Sequence, residues 1–359
     1  SLISLVTVAI THQCLKKSLS FAVHSKILFT LQFRKAIEST GKCQAFHIFL
    51  VTSIQVDTLH KVEDTFKGTV LFSLLHDALH GSLTHTFDGS QSETYISIPV
   101  YTLSFSEYLE FKKSDSRHLK ELLNEYLRLG GFPIVALSSF DERSAYQIVE
   151  GIYNSVITND ITKRHNITNF DLFNRVVKYI VENVGKTFSA NAIAKFLKSE
   201  GRSLSVEAVY NYLNWLEKAF VIYRCQRYDM QGKTVLKTQE KFYLADASLK
   251  YCMMGFNPKS VAAMLENIVY FELRRKGYDV YIGKNATKEI DFVAVRRDER
   301  IYVQVCRNLP EESDREIANL LEIKDHYPKY VVTLDELAAG NINGVKIMHL
   351  ADFLLSKDY

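Results

Sequence analysis

Gly-Lys pairs are the residues of this chain whose types best suit phosphate binding. A phosphate-binding loop needs G-x-x-x-x-G-K-[ST], because backbone amides and the lysine together cradle the phosphates. Gly41-Lys42-Cys43 lacks the hydroxyl residue, and Ile180 and Arg227 stand where Gly185-Lys186-Thr187 and Gly232-Lys233-Thr234 require the first glycine. The sequence therefore predicts that none of the three binds a nucleotide.

A second requirement for ATP hydrolysis is a strand that ends in acidic residues, which hold magnesium. The best candidate strand, residues 46–51, ends in Thr52-Ser53. We therefore expect no ATP hydrolysis by this chain.

From residue 96 onward the chain shows regular periodicity. Residues 96–102 read as a strand, and the glycines of Gly130-Gly131-Phe132-Pro133 break the chain. Apolar residues at helical spacing predict helices over 105–112, 117–129, 145–163, 172–184, 189–198, 205–219, 261–276 and 313–325. Ser189 and Ser205 are the expected N-caps of two of these helices. Further strands are expected at 221–223, 241–246, 278–282, 289–295, 300–306 and 329–334.

Three helices followed by a β-hairpin, over residues 172–246, are the order of a winged helix, which can bind DNA through its third helix. The basic residues that would contact nucleic acid are Arg202, Arg224, Arg227, Lys233 and Lys237. The third helix offers Asn211, Asn214, Glu217 and Lys218 to solvent, which is not a basic face. A solvated surface with a packing role stays open as the alternative.

Composition separates residues 1–95 from the rest. They hold 7 of the 11 histidines but only 15 of the 85 charged residues. A divergent α/β domain and a decayed or frame-shifted coding region both explain this difference.

A net charge of +3 gives no strong attraction to nucleic acid or membrane. Five cysteines without a CxxC pair indicate a reducing, cytoplasmic environment, and no segment is apolar enough to span a bilayer.

An ordered series of motifs over about residues 95–355 resembles a prokaryotic family of AAA-type P-loop ATPases of undefined role, which ends in a nuclease-like domain. The motifs are Leu103-Ser104-Phe105, Glu107-Tyr108-Leu109, Gly130-Gly131-Phe132-Pro133, Asp160-Ile161, Arg227-Tyr228-Asp229, Lys241-Phe242-Tyr243 with Asp246, Leu265-Glu266-Asn267 and Glu289-Ile290-Asp291-Phe292. The resemblance implies a multidomain α/β protein. Its parts would be a divergent or frame-shifted AAA-type core remnant (1–95), the end of the core with a helical lid (96–168), a winged helix (169–250) and a restriction-endonuclease-like domain (251–359).

The nuclease-like part carries a degenerate constellation of Glu266, Asp291, Gln304 and Cys306. In the core that it resembles, a helix glutamate, a strand aspartate and a Glu-x-Lys bind magnesium and position water. Gln304 and Cys306 replace the second acid and the lysine, so we expect no cleavage. Lys284 or Lys288 is a weaker substitute for the lysine.

Asp160 and Arg164 match the family's lid motif, where an arginine can touch nucleotide, but a helical (i, i+4) ion pair is the favoured explanation. Intact family members use ATP and Mg²⁺, whereas we predict no cofactor for this chain. Three functions remain open: an AAA-type ATP-binding protein without hydrolysis, a nucleic-acid-binding protein with an inactive nuclease-like domain, or a protein-interaction scaffold.

Overall fold

The computed structural model describes residues 99–112, 118–137, 140–165, 167, 169–309 and 315–359. The predicted core remnant at 1–95 therefore lies outside the described residues. Tyr101–Tyr359 forms one compact unit.

The first half of the unit is helical, and its helices begin at residues that cap them. Ser104, Ser189 and Ser205 each accept a hydrogen bond from the backbone three residues ahead, so the two caps predicted from the sequence are confirmed. The helices are α1 (Phe105–Phe111), α2 (Leu119–Leu129), α3 (Pro133–Leu137), α4 (Glu142–Val156), a π-helical segment (Ile157–Thr162), α5 (Lys163–His165), α6 (Phe170–Glu182), α7 (Ala190–Ser199) and α8 (Val206–Lys218). Later helices are α9 (Ala247–Met254), a 3₁₀ turn (Pro258–Ser260), α10 (Val261–Arg275), α11 (Arg315–Leu321) and α12 (Leu350–Leu355).

The described strands form a mixed eight-stranded sheet in the order β2-β1-β3-β4-β5-β6-β8-β7. The strands are β1 (Ile222–Asp229), β2 (Thr234–Leu244), β3 (Asp279–Asn285), β4 (Lys288–Arg296), β5 (Glu299–Cys306), β6 (Lys329–Thr333), β7 (Gly340–Ile342) and β8 (Val345–His349). The α/β class predicted from the sequence is confirmed. Residues 99–102 form no strand: Leu103 instead bonds to Gly131 and the Thr102 carbonyl accepts from Arg275.

The β1–β2 hairpin belongs to the same sheet as the C-terminal strands. Residues 227–229 of β1 pair in parallel with residues 282–284 of β3. Helix α10 packs on β2, β3, β4 and β5, while α11 packs on β4, β5, β6 and β8. The sheet therefore holds the hairpin and α10 in fixed register, and the candidate site lies between them.

A close contact between the loop after α2 and the end of β2 explains two of the sequence motifs. The Gly131 amide donates to the buried Asp246 carboxylate at 2.8 Å, and the Leu103 amide donates to the Gly131 carbonyl at 2.8 Å. A Cβ atom on Gly130 would lie 1.7 Å from Asp246 Oδ1, and one on Gly131 would lie 2.4 Å from the Leu103 oxygen. Gly130 also has a φ of 74°, which favours glycine. The Gly-Gly pair and Asp246 thus join the helical half of the unit to the end of β2.

Candidate functional site

A buried cluster of charged side chains lies where β2, β4 and α10 meet. The Lys241 ammonium lies 3.1 Å from Glu266 Oε2, 2.9 Å from Glu289 Oε1 and 3.8 Å from Asp291 Oδ1. Its side chain is only 4% exposed, against 17% for Glu266 and 12% for Asp291. We call these four residues the carboxylate–lysine cluster. The structure thus brings together two of the predicted site residues, Glu266 and Asp291, around a lysine from another strand.

A β-bulge directs Lys241 into the cluster. Cys225 pairs with Lys241 and Arg227 pairs with Leu236, so one residue of β1 faces four of β2. Gln239, inside the bulge, has a φ of 60° and accepts a hydrogen bond from Arg227. Bulges are a common means of redirecting a side chain, because the extra residues bend the strand.

The charges of the cluster shift two pKa values. Burial acts to lower the pKa of Lys241, but Glu266, Asp291 and Glu289 outweigh it and hold that pKa above its ordinary value. Burial raises the pKa of Glu266, while the Lys241 ammonium opposes that rise. Lys241 is therefore a permanent cation at any physiological pH.

Asp291 and Gln304 lie where the β4–β5 ladder ends, and both bond to the backbone there. The Val305 amide donates to Asp291 Oδ2 at 2.8 Å, and the Asp291 amide donates to Gln304 Oε1 at 3.1 Å. The two side chains replace ladder hydrogen bonds between the separating strands. Cys306, the next predicted position, is partly buried at the end of β5.

The magnesium site that the nuclease-like resemblance implies does not fit this arrangement. The ammonium of Lys241 occupies the space between the carboxylates, and oxygens of Asp291 and Gln304 are used by backbone amides. Within the described residues, no group of three or more His, Cys, Asp or Glu side chains is arranged to hold a metal ion. We therefore derive no metal-dependent chemistry from these residues.

Sequence reasoning considered Lys284 and Lys288 as the missing lysine and overlooked Lys241. Lys288 is instead paired with Glu322, and Lys284 lies opposite Asp229 on β1. The available signal was the alternation of Lys241 and Tyr243, since residues two apart share one face of a strand. Both side chains contact Glu266, the Tyr243 hydroxyl at 3.3 Å.

The residue after Glu266 attaches α10 to the same strand. Asn267 is buried, accepts from the Leu244 amide at 2.8 Å and donates to the Leu244 carbonyl at 2.9 Å. Its amide group satisfies both polar groups of one β2 residue. The Leu265-Glu266-Asn267 motif therefore clamps the hairpin to α10.

The arginines predicted to contact nucleic acid bind carboxylates of the chain itself. Arg202 pairs with Asp171, and Arg224 bonds to Glu217 at 2.6 Å and to Glu240 at 2.7 Å. Arg227 lies 3.8 Å from Glu289. Of the two predicted lysines, Lys233 is exposed in the hairpin turn, and the side chain of Lys237 lies outside the described residues.

Helix α8 exposes a polar stripe that these ion pairs leave accessible. Tyr210 is 49% exposed, and Asn211, Asn214 and Lys218 are exposed on the same side of the helix. Glu217 is drawn away by Arg224. We call Tyr210, Asn211, Asn214 and Lys218 the α8 stripe.

The lid candidates Asp160 and Arg164 form the ion pair expected from their spacing, at 3.3 Å. Asp160 lies in the π-helical segment, a form that is often found at functional sites. Next to it, the His165 ring stacks on Trp215 of α8 with centroids 4.3 Å apart. Whether Asp160 and Arg164 touch nucleotide stays a prediction.

The described region is thus a mixed α/β unit that contains a carboxylate–lysine cluster. A family model described as "Domain of unknown function (DUF8612)" matches residues 120–260. No helix of the described residues is long and apolar enough to cross a membrane.

Two relatives show the extent of the similarity. The chain is 38% identical over 266 residues to an "Uncharacterized protein" of Haemophilus influenzae, covering 74% of this chain and 66% of that protein. It is 28% identical over 232 residues to "Uncharacterized protein MJ1544" of Methanocaldococcus jannaschii, covering 61% and 51%. The chain therefore spans just under two thirds of the first relative and about half of the second. No solved structure matches the chain.

Proposed function

We propose that Tyr101–Tyr359 is a nucleic-acid-binding module without cleavage activity, carried by a protein of the AAA-type ATP-binding kind. The α8 stripe is the observation on which the proposal rests. Asparagine amides can bind adenine edges in the major groove, and a lysine adds attraction to phosphate.

The order of the elements around α8 supports this proposal. Helices α6, α7 and α8 are followed by the β1–β2 hairpin, and Phe188, between α6 and α7, forms an antiparallel bridge with Glu240 of β2. This is the connectivity of a winged helix, in which the third helix is free to enter the major groove. In that geometry the α8 stripe would face the bases and Lys233 would lie at the tip of the wing.

The ion pairs near the α8 stripe are consistent with nucleic-acid binding that does not depend on a strong electrostatic attraction. Arg224 neutralises Glu217 and Glu240, which removes two acids from the neighbourhood of the stripe. Arg202 and Arg227 are likewise paired. We therefore expect a modest salt dependence that reflects few phosphate contacts.

The carboxylate–lysine cluster supports the absence of cleavage. A divalent ion would have to displace the Lys241 ammonium from Glu266 and Glu289 before it could bind there. The ATP-binding part of the proposal rests on the family resemblance, and hydrolysis is not expected because residues 1–95 lack both nucleotide motifs.

The experiment compares variants of the stripe with a matched asparagine elsewhere. We expect a double variant, Asn211→Ala with Asn214→Ala, to bind duplex DNA about fivefold or more weakly, because base-edge contacts are lost. Asn174→Ala changes an exposed asparagine on α6 and should leave binding unchanged. Fluorescence anisotropy at several salt concentrations measures both, and equal affinities of the two variants would refute the role of the stripe.

A protein-interaction scaffold is the second candidate, and the pairing of Arg202, Arg224 and Arg227 with internal carboxylates favours it. Absence of DNA binding even at low salt, together with absence of ATP binding, would select this candidate. Magnesium-dependent ATP binding without DNA binding would select the ATP-binding role alone.

A further inference from the structure

The position of Lys241 differs from that of an ordinary surface ion pair. Its ammonium has carboxylate oxygens of two glutamates at 3.1 and 2.9 Å and an aspartate oxygen at 3.8 Å. The three acids come from α10 and from β4, whereas the lysine comes from β2. One cation therefore joins three elements of the fold.

The carboxylates could not be held together in this partly buried site without a cation. Removing like charges from water is costly, and their repulsion adds to that cost unless a positive charge lies between them. Arg227, at 3.8 Å from Glu289, neutralises only the outer side of the cluster. Lys241 supplies the central positive charge.

We infer that Lys241 is the resident cation of this cluster, and that it takes the structural place that a divalent metal ion would otherwise fill. The cluster is thus a metal-independent clamp between the hairpin, α10 and β4. Without the ammonium, the oxygens of Glu266 and Glu289 that it binds are released, and a shift of these side chains toward Asp291 would form a site for a hard divalent cation, which prefers carboxylate oxygens.

The test uses Mn²⁺ as the probe, with a second buried lysine as the matched control. Lys250 is 7% exposed and donates to the Val181 and Glu182 carbonyls, not to carboxylates. Lys241→Met and Lys250→Met therefore each remove one buried ammonium, but only the first removes a cation that several carboxylates share. Thermal unfolding of the full chain is followed with EDTA and with Mn²⁺.

We expect EDTA and Mn²⁺ to leave the wild-type melting temperature unchanged. Lys241→Met should melt at a lower temperature in EDTA and recover on addition of Mn²⁺, whereas Lys250→Met should be destabilised without recovery. Free Mn²⁺, measured by electron paramagnetic resonance, should show binding to Lys241→Met about tenfold or more tighter than to wild type.

Several results would overturn the inference. These are stoichiometric Mn²⁺ binding by the wild-type chain, equal Mn²⁺ rescue of both variants, and a Lys241→Met chain that stays unfolded with Mn²⁺. A double variant, Lys241→Met with Glu266→Gln, tests the charge argument separately. It has one carboxylate fewer, so it should be more stable in EDTA than Lys241→Met and bind Mn²⁺ more weakly.

Discussion

The carboxylate–lysine cluster and the α8 stripe use polar residues in opposite ways. In the cluster each charged group is buried or partly buried and bound to another group of the same chain. In the stripe, Tyr210, Asn211, Asn214 and Lys218 are presented to solvent. The cluster residues, which belong to sequence motifs, thus hold the fold together. The residues of the α8 stripe belong to no motif and are the ones available to a ligand.

The difference has energetic consequences. Removing one partner of a buried ion pair costs about 3–5 kcal/mol, because the other charge stays buried and unpaired. Exposed substitutions usually change stability by less than about 0.5 kcal/mol. Variants of the two regions should therefore separate stability from binding.

The largest effect on stability is expected for Lys241→Met. We expect the free energy of unfolding to fall by about 3–5 kcal/mol, measured by urea denaturation, since three carboxylates lose their central cation. DNA affinity, measured where the variant is still folded, should be unchanged. Lys284→Met, on the neighbouring β3 strand, is the control and should change stability by less than about 0.5 kcal/mol. A stable Lys241→Met chain would show that the cluster does not hold the hairpin.

The next effect is expected for Asn267→Leu. This nearly isosteric change leaves the buried amide and carbonyl of Leu244 without partners, and we expect a loss of about 2–4 kcal/mol. The same exchange at the exposed Asn214 is the control for stability. If both variants unfold at the same urea concentration, the clamp between α10 and β2 contributes nothing.

A smaller effect, on binding alone, is expected for Lys218→Gln. Loss of one phosphate contact should reduce the slope of log affinity against log salt by about 1, with no change in the unfolding transition. Lys346→Gln changes an exposed lysine on β8, several strands away from the hairpin in the sheet, and should keep the wild-type slope. An unchanged slope for Lys218→Gln would remove this lysine from the interface.

The smallest effect is spectroscopic. Trp215 is the only tryptophan of the chain, and His165 stacks on it at 4.3 Å. Burial, with Lys218 and Arg164 nearby, lowers the pKa of His165 below its ordinary value. Because a protonated imidazole quenches indole fluorescence, emission should fall on acidification with a midpoint below about 6.5.

A His165→Gln variant should lose this fluorescence titration. The lowered pKa also means that the imidazolium is disfavoured in the folded state. The His165 contribution to stability should therefore improve as pH rises from the folded-state pKa to the unfolded-state pKa. A midpoint above the ordinary histidine value would contradict the lowered pKa, and an unchanged titration in His165→Gln would contradict the contact with Trp215.

Local signals in the sequence predicted local structure well. The caps at Ser189 and Ser205 and the α/β class follow from side-chain chemistry and periodicity, which act over a few residues. The sequence also predicted the interruption of helical structure at Gly130-Gly131, but it did not reveal the cause. The cause is the close approach of Asp246, more than a hundred residues away in sequence.

The site was only partly predictable for the same reason. Glu266 and Asp291 were identified, and the structure places both near one cation. Lys241 was missed because its partners Glu266 and Glu289 lie on other elements and are distant in sequence. The arginines were assigned to nucleic acid because their partners, Asp171, Glu217 and Glu289, are distant in sequence or lie on other elements.

The parallel pairing of β1 with β3 also bears on how the chain can be divided. A fragment that ends at residue 250 would keep β1 but lose the strand that covers its inner edge. Unpaired strand edges recruit other chains and cause aggregation. Expression of the helices and hairpin alone should therefore yield insoluble protein, and a usable fragment has to extend through the last strand of the sheet.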